Sequence, residues 1–183
     1  MGLFGTSEEA NYDVLQQWKD ENVELRLYPR QKWVCVTQVA SKMDDIMSSS
    51  FFKLFNYIRG ANSQDAKIPM TKPVRVESKP NPESSLSRLY TMGFHLPTTH
   101  SDSPPDPKEV DLFVQECDEM KVFCRVYSGF SNDTKLHAEA RELGRTLDGL
   151  NMSYKRDPYY FAGYNPPFHL FNRRNEVWFV AAD

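Results

Sequence analysis

Apolar and polar residues alternate over 23–28 and an apolar-rich run follows over 32–39, which predicts two short strands with Pro29-Arg30 turning between them. A helical period follows over about 44–58 and stops at Gly60, a plausible C′ residue. The same order then recurs. Strands are predicted over 110–115 and 121–127, and a helix over about 133–147 that ends near Gly149. Val23 to Val110, Val34 to Val122 and Gly60 to Gly149 are offsets of 87, 88 and 89, a drift of two residues that points to an internal duplication. Each half closes on a further strand pair, at 72–79 and 88–96, then at 158–163 and 176–182. A proline- and serine-rich link from Pro97 to Pro107 joins the halves, and residues 1–20 read as a loosely attached arm. The expectation is therefore an α+β protein with one domain over 21–183, made of pseudo-repeats at about 21–96 and 108–183. Closing its eight mostly antiparallel strands into a distorted barrel, flanked by two long helices, would remove exposed edges.

The two helices differ. The second carries one narrow apolar stripe, Leu136, Ala140, Leu143, Leu147 and Leu150, as expected for packing on a sheet. The first has more apolar residues than one stripe needs. Met43, Met47, Ser50, Phe51, Leu54 and Ile58 share a face, Phe55 falls on its flank, and Phe52 lies nearly opposite. The surplus aromatics either pack under the arm or the link, or line an open apolar groove with Met47 and Met70 as adaptable wall.

Composition narrows the classes. The net charge is −3, and no dense run of lysine and arginine is present, which argues against a nucleic-acid partner. No apolar run approaches the ~20 residues of a membrane span, and no hydrophobic signal segment opens the chain, so a cytoplasmic protein is expected. Met1 to Thr6 fits the loose pattern for N-myristoylation. Cys35, Cys117 and Cys124 have no metal-ligand spacing and read as structural or free thiols. Phosphate-binding glycine loops, the nucleophile elbow and paired histidines are all missing, so no catalytic residue is assigned and no enzyme is expected.

The densest chemistry lies at 165–178, with Pro166-Pro167, Phe168, His169, Phe171, Arg173-Arg174 and then Glu176-Val177-Trp178 entering the last strand. The prolines force an extended loop. Rigid apolar surface beside cations suits a flat, apolar, anionic ligand, although aromatics next to a strand also read as core. His169 alone among the four histidines sits in such a loop, where an imidazole could ligate iron.

Trp33-Val34, Lys67-Ile68-Pro69-Met70-Thr71-Lys72-Pro73-Val74, Ala162-Gly163-Tyr164-Asn165-Pro166-Pro167 and Arg173-Arg174-Asn175-Glu176-Val177-Trp178, in this order and spacing, resemble the SOUL heme-binding protein family. The resemblance runs from about Val23 to Val180 and is nearest to the heme-binding protein 2 branch. It implies the barrel and repeat described above, in a monomer or weak dimer. It also implies non-covalent binding of heme and other porphyrins in a cleft between the first helix and the loop before the last strand. Met47, Phe51, Phe55, Tyr164, Phe168, His169, Arg173 and Arg174 fall at the positions expected to line that cleft, with the arginines pairing to propionates. Some members of that branch have a histidine proposed as iron ligand just before the tyrosine of the first strand. Here the position is Leu27, which cannot ligate iron, so heme binds without axial coordination, or through His169, or not at all. Cell-death and mitochondrial roles linked to this branch imply a rival reading, an interaction protein associated with mitochondria. Leu143-Gly144-Arg145-Thr146-Leu147-Asp148 on the second helix would then dock in a partner's groove, which requires exposing Leu143 and Leu147 from the core stripe.

Overall fold

The computed structural model describes residues 7–165 and 173–182. Among these, eleven strands and three α-helices follow in the order β1 (Glu8–Glu9), β2 (Asp13–Trp18), β3 (Val23–Tyr28), β4 (Gln31–Ala40), α1 (Met47–Ile58), β5 (Thr71–Lys72), β6 (Val74–Pro80), β7 (Arg88–His95), α2 (Thr98–Ser101), β8 (Leu112–Cys117), β9 (Met120–Tyr127), α3 (Asp133–Gly149), β10 (Tyr154–Gly163) and β11 (Asn175–Ala181). The helix expected over 44–58 is a 3-10 turn at Met43–Asp45 followed by α1. Gly60 has a φ of 127°, which explains a glycine just past that helix. No helix among the described residues is long and apolar enough to cross a membrane.

Nine strands form one antiparallel sheet in the order β2-β3-β9-β11-β10-β6-β7-β4-β8. β1 and β5 form a separate parallel pair. The sheet is not closed into the expected barrel. β3 pairs with β9 on one side, and its other edge is taken by β2, so its hydrogen-bonding groups are not available to β8 at the far end. Hydrophobic pattern within a strand reports which residues are buried, not which edges meet. The strand order is symmetric. Matching β3, β4, β6 and β7 with β8, β9, β10 and β11 in turn, the series from β3 to β8 reads the same from either end.

Strand residues alternate between two cores. Val34, Val36, Phe123, Phe161, Val177 and Phe179 join the core under the helices. Their neighbours Trp33, Cys35, Cys124, Tyr160, Ala162 and Trp178 join a second core on the opposite face, together with Ala10 of the arm. Both faces are covered, which is why these strands read as nearly continuous apolar runs. Burial pushes the Cys35 thiol up to about 12 and raises Cys124 as well, as expected for structural thiols. Leu143 and Leu147 are fully buried under α3, so docking through them would require the helix to leave the core.

Candidate functional site

α1 is anchored on the sheet by its polar position. Ser50 is buried, and its hydroxyl accepts from Gln38 Nε2 of β4 at 2.9 Å. The starts of the two helical segments are tied together. Asp133 Oδ1 accepts from the Met43 amide at 3.0 Å, and Asp44 Oδ1 accepts from the Asp133 amide at 2.8 Å. Asn132 caps α3 through a 2.8 Å bond from the Lys135 amide. These contacts hold the start of α1 and Ser131 on facing sides of a gap.

That gap is a groove of about 370 Å³ between α1 and the adjoining ends of β6, β10 and β11. Phe51, Phe52, Val74 and Phe161 supply apolar wall, with Met47 at the start of the helix and Arg173 on the loop side. Phe51 is fixed by edge contact with Phe94 at 5.3 Å and by stacking on Phe55 at 5.7 Å. Phe52 is 61% exposed and turns its ring to the same groove. The Arg173 guanidinium lies 4.3 Å above the Phe130 ring, and burial lowers its hold on the proton. No imidazole is among the described lining residues, and Leu27 does not line the groove.

The residues singled out from the sequence therefore separate. Met47, Phe51 and Arg173 meet in the groove. Phe55 backs Phe51, with the Arg59 guanidinium 5.5 Å over its ring. Phe168 and His169 lie outside the described residues. Tyr164 and Arg174 belong to the opposite face. There Glu176, fully buried, accepts from Arg26 at 2.7 and 2.9 Å, from Arg174 Nε at 2.9 Å, from Tyr164 Oη at 3.1 Å and from Trp178 Nε1 at 2.9 Å. Burial alone would raise the Glu176 carboxyl, but the Arg26 and Arg174 guanidiniums outweigh it and hold the group below the usual carboxylate range. Tyr164 is raised, by burial first and then by the charge of Glu176.

This network continues as a row of rings and cations across the sheet. Arg75 lies 4.0 Å over Trp33 and 5.2 Å from Tyr160. Tyr160 lies 6.0 Å from Trp178, Trp178 lies 4.7 Å from Tyr28, and Arg26 lies 4.1 Å over Tyr12 of the arm. Arg174 also reaches Glu9 and Tyr12 at 3.3 Å. Its own backbone closes the base of the loop, with its N–H donating to Asn165 Oδ1 at 2.5 Å and its carbonyl accepting from Tyr164 at 3.2 Å. Two groove residues, Phe161 and Val74, escaped the sequence reading because a single ring or branched side chain in a strand looks like core. Phe52 left a signal, as an aromatic on the wrong side of its helix.

A family model described as SOUL heme-binding protein matches residues 7–180. Heme-binding protein 2 of Homo sapiens is 34% identical over 157 residues, covering 86% of this chain and 77% of that protein. Heme-binding protein 1 of Mus musculus is 31% identical over 182 residues, covering 98% and 96%. Among solved structures, an uncharacterized conserved protein from Listeria innocua superposes with a TM-score of 0.61 at 9% identity, covering 88% of this chain and 93% of that one. At that identity the likeness is one of fold alone.

Proposed function

We propose that this chain, which belongs to the SOUL heme-binding protein family, binds heme and related tetrapyrroles non-covalently and without catalysis in the groove beside α1. The observation that carries this reading is a groove walled by Phe51, Phe52 and Phe161 with Arg173 beside it. Aromatic rings offer area to the face of a flat macrocycle. A guanidinium matches a propionate in both charge and geometry. The relatives carry the names of heme-binding proteins, which fits a binding role better than a catalytic one. Recognition through ring and propionate needs no axial ligand, and His169 stands as the proposed ligand where iron is coordinated. The symmetric strand order supports an internal duplication as the origin of the two halves.

The test is a parallel titration of the full chain with hemin and with iron-free protoporphyrin, followed by absorbance near the Soret band. Saturable binding of both with similar affinity is expected if ring and propionates carry recognition. Tighter hemin binding, with a spectrum of nitrogen-coordinated iron that is lost in His169→Ala, would assign the axial role to His169. Binding of neither compound would overturn the tetrapyrrole reading.

A further inference from the structure

A second cavity, about 360 Å³ and so nearly the size of the first, lies between α3 and the start of β10. The geometry points to a separate binding site there for a small planar aromatic anion, a ring carrying phosphate or carboxylate. One wall is aromatic and rigid: Tyr154 and Phe179 stack at 5.3 Å with 9° between their planes, and Tyr159 meets Phe179 edge-on at 6.2 Å. Gly144 of α3 lets that wall approach the helix, since a Cβ on it would come within 3.3 Å of Tyr154 Oη and 3.8 Å of Phe179.

The rim is cationic. Arg141, Arg145 and Arg156 line the cavity against one carboxylate, Asp148, so its formal charge is +2 in a protein whose net charge is −3. Asp148 is engaged by Tyr154 Oη at 2.9 Å, and Arg145 pairs with Glu142 at 2.5 Å. Arg141 and Arg156 have no carboxylate partner among the described residues, and Arg156 stands 5.8 Å over the Tyr154 ring. The aromatic wall offers apolar area to a flat ring, and the guanidinium forks of the rim recognise the attached oxyanion. The sequence 143–148 fits this assignment. Its leucines are core, while Gly144, Arg145 and Asp148 line the cavity. The site shares no residue with the groove beside α1.

The test is a titration of the isotope-labelled full chain with adenosine monophosphate, naphthalene-2,6-dicarboxylate and uncharged adenosine, read by amide and aromatic NMR shifts. Saturable shifts of Gly144, Tyr154, Tyr159 and Phe179 are expected with at least one anion, and at least ~10-fold weaker ones with adenosine, the scale of one lost charge-assisted contact. Which anion binds distinguishes phosphate from carboxylate. Arg141→Glu with Arg156→Glu, both on exposed side chains, should abolish those shifts while leaving protoporphyrin affinity unchanged. Absence of shifts with both anions, equal binding of adenosine, or unchanged anion affinity in the double variant would overturn the site.

Discussion

Arg173 and Arg174 are neighbours in the chain and part company in the fold. Arg173 lines the groove beside α1, with its guanidinium over the Phe130 ring. Arg174 turns to the opposite face, where it lies 3.9 Å over the Tyr164 ring and pairs with Glu176 at 2.7 Å. In the proposed reading one of two like residues recognises a ligand, while the other ties the sheet to the arm through Glu176, Glu9 and Tyr12. The wider faces repeat this difference. Among the described residues, the helix side holds the groove beside α1 and the cavity beside α3. The far side is filled by a row of tyrosines, tryptophans and arginines that closes around one buried carboxylate. A motif that includes both arginines therefore combines two physical demands.

The largest expected effect lies on the far face. Glu176→Ala removes the acceptor shared by Arg26, Arg174, Tyr164 and Trp178 and leaves Arg26, 1% exposed, with Glu24 at 2.6 Å as its one remaining carboxylate partner among the described residues. A loss of about 3–5 kcal/mol in urea unfolding, followed by tryptophan fluorescence, is expected. A loss below about 1 kcal/mol would show that the row contributes little to stability.

Acid should act through the same group. The folded carboxyl is held below its unfolded value of about 4.3, so its contribution is complete above that pH. As pH falls, the unfolded chain takes up the proton first, and stability declines from about 4.3 down through the lower folded value. In Glu176→Gln this part of the decline should be absent from a series of urea midpoints against pH.

Single arginine changes sharpen the contrast. Arg174→Ala is expected to cost about 1 kcal/mol of stability, since its side chain is 34% exposed and solvent screens it, with protoporphyrin affinity of the folded protein kept. Arg173→Ala is expected to do the reverse, lowering protoporphyrin affinity by about tenfold, or about 1.4 kcal/mol, at nearly unchanged urea midpoint. If both changes moved the same measurement, the division between the faces would fail. The smallest effect is expected for Phe52→Ser, within about 0.5 kcal/mol in stability because the ring is 61% exposed, with a several-fold loss of protoporphyrin affinity. Unchanged affinity would remove Phe52 from the proposed site.

Local pattern carried much of this protein. Short apolar-rich runs located strands in both halves, the 3.6 period located α1 and α3, and Gly60 marks a helix boundary by backbone chemistry that acts within a few residues. The surplus of aromatics on the first helix was legible too, and Phe51 and Phe52 line the groove. Open or closed sheet, and the partner of each arginine, depended on contacts across the chain. β3 meets β9 and β2, and Arg26 meets Glu176 across 150 residues. Periodicity says which way a side chain points from its own element. It carries no record of which distant edge or carboxylate waits there, because that depends on how the elements pack, and only the tertiary structure holds that arrangement.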